Sequence, residues 1–271
     1  ISSYISLFDL KVIKIILDDA INYEYFLNLR IKYKPNFIIC SEKKMSQLKI
    51  KNYNFLNGDY CFFRINGKIK KINEINSVLL TTSGTTSSPK FVRLSNKNII
   101  DNTRKIISYL KIKKNSNCIT VFSPAYSYGM SILNTHIVSG GTVYVNEKKI
   151  TDIKFWNLFK KNKIESFNSI PLMIKFLNKF DFNLLNSKFL KYITIAGGKI
   201  DNKYLLKLNN SLIKKNVSIF NMYGQTEAAP RMSFLNPKFF VSKIGSIGKP
   251  LKGGKFYLID RNNKIVKESF K

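Results

Sequence analysis

Short apolar runs recur along the chain, separated by segments whose apolar positions fall at helical spacing. The runs Phe37–Cys40, Tyr60–Ile65, Val78–Thr82, Cys118–Phe122, Thr142–Val145, Ile164–Asn168, Tyr192–Ala196, Val217–Asn221 and Lys255–Asp260 are predicted as strands. Ser95 is a candidate N-cap for a helix that places Ile99, Ile106, Ile107 and Leu110 near one face. Further helices are predicted over about 129–138, 151–161, 170–179 and 201–213. Strands alternating with helices predict an α/β fold of layered, largely parallel sheets flanked by helices. Ligands of such sheets bind beyond the carboxyl ends of the strands, so the loops after strands are where chemistry is expected. Near the C-terminus, Lys255–Asp260, the turn Arg261-Asn262-Asn263 and Lys264–Val266 predict a β-hairpin, the start of an antiparallel β unit. No internal repeat is visible.

Composition narrows the class. The chain has 271 residues, and 44% are hydrophobic, too many for a disordered basic tail. No apolar run approaches the roughly 18 residues of a membrane-spanning helix. The length fits one large or two modest domains. Lys and Arg total 46 against 16 Asp and Glu, for a net charge of +30. That excess suggests a nucleic-acid binder, because basic surfaces bind phosphate backbones by counterion release. Here, however, the cations are mostly Lys, scattered among Ile and Asn as in 111–117 and 214–220. All three residue types share A/T-rich codons, so the excess reads as genome composition expressed at surface positions. Cys40, Cys61 and Cys118 have no metal-ligand or disulfide spacing. There is no apolar leader. The chain begins at Ile1 and stops in a charged run at Lys271, so it is expected to be a fragment of a cytoplasmic protein.

Three motifs carry chemistry. In the first, the strand Leu79-Leu80-Thr81 runs into Thr82-Ser83-Gly84-Thr85-Thr86-Ser87-Ser88-Pro89-Lys90. Hydroxyls and free backbone N–H groups can surround phosphate oxygens, and Lys90 adds a compact positive charge. The spacing is not that of a Walker loop. In the second, Asn221-Met222-Tyr223-Gly224-Gln225-Thr226-Glu227 ends a strand with an amide, an aromatic, a glycine, a hydroxyl and a carboxylate. An aromatic beside glycine can stack on a base, a Thr can donate to phosphate, and a Glu can ligate Mg²⁺. Alone, the same segment also reads as a helix N-terminus capped by Thr226. The third, Gly245-Ser246-Ile247-Gly248-Lys249-Pro250, is turn-rich.

In this order the three motifs resemble the adenylate-forming superfamily, which includes acyl-CoA synthetases and the adenylation domains of peptide synthetases. The resemblance spans about residues 75–260. Ala196-Gly197-Gly198 sits where the family has a Gly-rich adenine-side loop, and Phe122-Ser123-Pro124-Ala125-Tyr126-Ser127-Tyr128-Gly129 where it has an acyl-site segment. It implies that residues 1–235 are the nucleotide- and acyl-binding part of a large domain and that 236–271 begin an antiparallel subdomain. The small C-terminal domain would be absent, and the fragment alone would be weak or inactive.

The implied reaction is attack of a carboxylate on the α-phosphate of ATP, then transfer of the acyl group to a thiol. By this resemblance Thr82, Ser83, Gly84, Thr85, Thr86, Ser87 and Lys90 would clasp the outer phosphates. Tyr223 would stack on adenine and Asn221 would bond its amino edge. Gly197, Gly198 and Gly224 would let backbone approach the nucleotide. Thr226 would contact the α-phosphate, and Glu227 would hold Mg²⁺. Lys90, Thr226 and Glu227 would form the catalytic set. Tyr126, Tyr128, Gly129 and Gly198 would line the acyl site, where Tyr126 stands in place of a common His. No carboxylate occurs from Phe122 to Leu133 to pair with an α-amino group, which favours a simple or fatty acid over an amino acid.

CoA, or the phosphopantetheine of an acyl carrier protein, would accept the acyl group. The alternatives are an adenylation domain loading a carrier protein, a non-catalytic nucleotide-binding relative and, from a different class, a basic nucleic-acid-binding protein. No specific nucleic-acid partner is expected. His136 and Cys118 are expected to be structural, and Phe155, Trp156 and Phe159 to pack in the core.

Overall fold

The computed structural model describes residues 2–8, 10–65, 77–81, 91–180 and 182–266. It divides into two compact units, one of 1–96 with 124–126, the other of 97–123 with 127–271.

The first unit holds α1 (Ser2–Ser6), β1 (Ile13–Ile16), α2 (Tyr23–Tyr33), β2 (Phe37–Ser41), α3 (Glu42–Gln47), β3 (Asn54–Asn57), β4 (Tyr60–Arg64), β5 (Ser77–Thr81) and β6 (Phe91–Ser95). α2 begins where the Asn22 side chain accepts from the Tyr25 N–H at 2.8 Å. It stops at Lys34, whose backbone turns left-handed. β2, β4 and β3 form an antiparallel sheet over a core of Phe26, Met45, Leu48, Ile50 and Cys61. β5 lies between parallel β1 and antiparallel β6, with Thr81 and Phe91 as Cα partners. The hydroxyl-rich segment from Thr82 to Lys90 springs from that pair of strand ends and lies outside the described residues.

The second unit contains α4 (Asn96–Leu110), β7 (Asn117–Thr120), α5 (Ser127–Val138), β8 (Thr142–Val145), α6 (Ile153–Lys161) and β9 (Ser166–Ser169). Then come α7 (Pro171–Phe180), β10 (Tyr192–Ile195), α8 (Asn202–Leu212), β11 (Ser218–Gly224), β12 (Arg231–Phe234) and β13 (Lys249–Pro250). Its seven-stranded sheet has the order β13-β12-β11-β10-β9-β7-β8. The strands from β8 to β11 run parallel, and β12 and β13 are antiparallel. The α/β class with a parallel-rich sheet is therefore as the sequence pattern predicts.

Each helix faces the sheet for a reason visible in its residues. Phe155, Trp156 and Phe159 of α6, Met173, Ile174 and Leu177 of α7, and Leu205, Leu208 and Leu212 of α8 form one core with Phe167, Ile193 and Ile219. On the opposite face, Ile106 and Leu110 of α4 pack with Tyr192, Phe220 and Met222, bordered by Tyr128 of α5. β7 is followed by β8 on one side and β9 on the other, so the strand order reverses between β7 and β9. That reversal is the switch point at which an open α/β sheet has its crevice.

Near the C-terminal end of the chain, two expectations change. Lys255–Asp260 is not a strand; the predicted hairpin survives as a turn with one antiparallel bridge, Ile259 to Ile265. Tyr257, Leu258 and Ile259 stay exposed there, so burial does not fix a ladder. β11 also runs past Asn221 to Gly224, because β12 pairs with its end. Among the described residues, no helix is long and apolar enough to cross a membrane.

Candidate active site

The carboxyl ends of the parallel strands β11, β10 and β7 lead into the second motif, the Gly-Gly turn and, through Ser127–Gly129, the end of the acyl-site segment. Asn221 and Tyr223 lie on β11, and Gly224 is its last residue. The Asn221 Nδ2 donates to the Ser246 carbonyl at 2.8 Å, which leaves Oδ1 as the amide's acceptor. The Ser246 Oγ accepts from the Gly248 N–H at 3.0 Å, and Ser233 Oγ donates to the Ile247 carbonyl at 2.7 Å. The turn-rich third motif is thus the brace that orients Asn221. Tyr223 is 40% exposed, its ring presented at the strand end.

Gly224 sits at a break in the β11–β12 register, opposite Arg231. A Cβ there would overlap the Pro230 carbonyl oxygen, so close backbone packing alone demands glycine. Thr226 opens a short 3₁₀ turn, Thr226–Ala228, instead of capping an α-helix. Glu227, in the same turn, is exposed and forms no ion pair with any described residue. Gly197, just after β10, has φ +91°, a left-handed turn that glycine adopts freely. Gly198 follows it, against the ring of Pro171.

The acyl-site segment leaves β7 at the switch point. Ser127 Oγ, at the start of α5, lies 3.2 Å from Thr226 Oγ1. This contact joins the second motif to the acyl-site segment. Tyr128 stacks on Phe122, centroids 4.8 Å apart. Its hydroxyl lies 2.7 Å from Thr194 Oγ1, and Thr194 donates to Asn168 Oδ1 at 2.8 Å. Thr194 has one proton, so Tyr128 is the donor to it. Burial raises the Tyr128 pKa, against the lowering effects of Arg231 and the Thr194 hydrogen bond, so the phenol stays protonated. Gly129 lies in the first turn of α5. Tyr126 belongs to the other unit and is exposed. Thr82, Ser83, Gly84, Thr85, Thr86, Ser87 and Lys90 lie outside the described residues.

Several residues here carry no motif signal. Thr194 of β10 and Asn168 of β9 extend the hydrogen-bond network of the Tyr128 hydroxyl. Arg231 is buried, with its guanidinium 4.2 Å from the Tyr128 ring centroid. Asn102 of α4 holds the segment after the second motif, donating to the carbonyls of Arg231 at 2.8 Å and Ala228 at 3.3 Å. A polar residue inside an apolar helical stripe was the available signal for Asn102.

Among the described residues, no group of three or more His, Cys, Asp or Glu side chains could hold a metal. A Mg²⁺ ion needs less, since it keeps waters and takes one or two carboxylates plus substrate phosphates. The unpaired Glu227 fits that demand. The exposed Tyr223 ring, the braced Asn221 and the Gly197 turn fit a nucleotide.

The family model of the AMP-binding enzyme matches residues 64–269. Gramicidin S synthase 2 of Brevibacillus brevis is 25% identical over 206 residues, covering 73% of this chain and 4% of its own length. The D-alanine–D-alanyl carrier protein ligase of Lacticaseibacillus casei is 28% identical over 162 residues, 58% of this chain and 31% of its own. This chain therefore spans no more than about a third of either protein. A structure of the o-succinylbenzoate CoA synthetase of Bacillus subtilis with its acyl-adenylate intermediate superposes with a TM-score of 0.73 at 17% identity. That match covers 98% of this chain and 54% of the synthetase, and shows the shared fold.

Proposed function

The chain belongs to the AMP-binding enzyme family, and on that premise we propose that it activates a carboxylic acid with ATP and passes the acyl group to a thiol. The observation that supports this reading most is the Ser127–Thr226 contact of 3.2 Å between the second motif and the start of α5, as adjoining nucleotide and acyl sites would require.

In this reading Tyr223 stacks on adenine and Asn221 Oδ1 accepts from its amino group. Gly197 and Gly198 line the ring's edge. Thr226 donates to the α-phosphate, whose phosphorus the substrate carboxylate attacks. The loop from Thr82 to Lys90, including Ser83, Gly84, Thr85, Thr86 and Ser87, holds the outer phosphates, and Lys90 balances their charge. Mg²⁺, when bound, neutralises phosphate charge, and Glu227 supplies one of its oxygens. The protein forms no covalent bond in this half-reaction, so its contribution is positioning and charge. Pyrophosphate leaves, the acyl-adenylate stays, and a thiol then displaces AMP. The stacked Phe122 and Tyr128 rings keep water from that mixed anhydride.

The acceptor is CoA or a phosphopantetheine thiol on a carrier protein. The likeness to a peptide synthetase and to a D-alanyl carrier protein ligase supports the carrier alternative. ATP–pyrophosphate exchange on the full-length protein, across short and long, aliphatic and aromatic acids, tests the reading. Exchange with at least one acid is expected, lowered about a hundredfold or more by Glu227→Gln or Lys90→Ala. No exchange with any acid would remove the basis for the proposal. Adding CoA or a holo carrier protein with a free phosphopantetheine thiol in turn then identifies the acceptor by which one releases AMP.

A further inference from the structure

Arg231 poses a problem that the adenylation chemistry does not solve. Its side chain is 6% exposed, yet no Asp or Glu among the described residues pairs with it. Its Nη2 lies 3.5 Å from Ser131 Oγ, a long contact to a neutral group. Its guanidinium lies over the Tyr128 ring and shares a hydrogen bond with the Tyr109 hydroxyl, both neutral groups. Its Nε is buried and has no hydrogen-bond partner among the described residues. A guanidinium taken out of water without a counter-anion is costly, and a bound anion would offset that cost.

The surroundings point to what that is. Arg231 lies over Tyr128, whose neighbour Ser127 touches Thr226 of the nucleotide motif. Through the Tyr128 hydroxyl the same network reaches Thr194 and Asn168, and the Asn168 Nδ2 is also buried without a partner. The unfilled groups of Arg231 and Asn168 are N–H donors. A carboxylate is acceptor-only and matches a guanidinium in planar, two-pronged fashion. An alkyl chain running along this wall would leave both donors unsatisfied. A positively charged acyl group would face Arg231 with no acid among the described residues to offset it.

We propose that Arg231 is the specificity-determining anchor of the acyl site, and that the acid activated there carries a second carboxylate, held by Arg231 while the first attacks ATP. The proposal rests on the adenylation reading above and names its substrate class.

Pyrophosphate exchange on the full-length protein with matched acids tests it, using butyrate against succinate and hexanoate against adipate. The wild type should favour the diacid of a pair. Arg231→Met should raise the diacid KM about a hundredfold and collapse that preference, while the ATP KM moves less than about twofold. Arg231→Lys, which keeps the charge but loses the fork, should recover part of the preference, and serves if the Met variant fails to fold. Three results would overturn the proposal: a wild type that prefers monoacids, equal losses for both members of a pair, or a change confined to the ATP KM. In each of these the adenylation reading survives. Absence of exchange with every acid sinks that reading, and this proposal with it.

Discussion

His136 is a single buried side chain whose protonation state is fixed by its surroundings. It lies in α5 at 2% exposure, with Nδ1 2.9 Å from the Ile132 carbonyl. A carbonyl only accepts, so Nδ1 carries the proton and the neutral tautomer has a bare Nε2. That atom is buried and has no partner. Burial lowers the His136 pKa more than the Ile132 hydrogen bond and Glu165 raise it. The sign follows from linkage. The unfolded chain binds a proton near pH 6.5, while the folded chain resists it until lower pH. Stability from this residue is therefore complete above about pH 6.5 and falls as pH drops below it, by at most about 1.4 kcal/mol per pH unit. Every other described group with a displaced pKa is a tyrosine or cysteine displaced upward, Tyr109 to about 12 for example. Urea unfolding at several pH values between neutrality and about pH 5 should show this acid slope. His136→Asn, which keeps a donor for Ile132, should flatten it. An unchanged slope in the variant assigns the effect elsewhere.

At the scale of elements, α4 shows both what the sequence reveals and what it hides. Ile99, Ile106 and Leu110 repeat at helical spacing and identify the helix and its inner face. Asn102 and Thr103 are buried on the same face, but their polarity removes them from an apolar pattern. Asn102 donates from Nδ2 to two carbonyls of the segment after β11 and accepts from the Arg231 N–H at 3.3 Å. Replacing it by Ala leaves those buried backbone groups unpaired and should cost about 1–3 kcal/mol, read as a lower urea midpoint with an unchanged m-value. A cost near zero would mean that water reaches the segment. The same distinction separates the legible strands from the others. β8 and β10 are apolar on sight, whereas β9 (Ser-Phe-Asn-Ser) and β12 (Arg-Met-Ser-Phe) carry polar groups inward. β9 is accordingly read two residues early, and β12 is not read at all. The motifs were legible because Asn221 to Glu227 are contiguous. The Arg231–Tyr128–Thr194–Asn168 network was not, because three strands and a helix each contribute one residue and only folding brings them together.

For the molecule as a whole, the net charge of +30 becomes a statement about stability. Only three ion pairs join described residues to one another: Lys44–Asp19 at 3.9 Å, Lys105–Asp101 at 2.6 Å and Lys191–Glu165 at 2.7 Å. Other lysines rest on aromatic faces, as Lys49 does on Tyr23 at 4.7 Å and Lys203 on Tyr204 at 5.2 Å. Such contacts shelter the side-chain stem but do not cancel the charge. With so few acids to pair them, the cations repel one another more in the compact state than in the expanded chain. Salt should relieve that repulsion. From about 0.01 M to about 0.1 M, the Debye length shrinks from about 30 Å to about 10 Å, so distant like charges stop acting on each other. A chain held together by surface ion pairs would lose stability over this range. This chain should gain about 1 kcal/mol, or about 2–4 °C in Tm. Sodium chloride is the salt to use, since sulfate also strengthens apolar burial. Calorimetry at the two concentrations checks the sign, and a lower Tm in the higher salt would mean that attraction, not repulsion, dominates the surface.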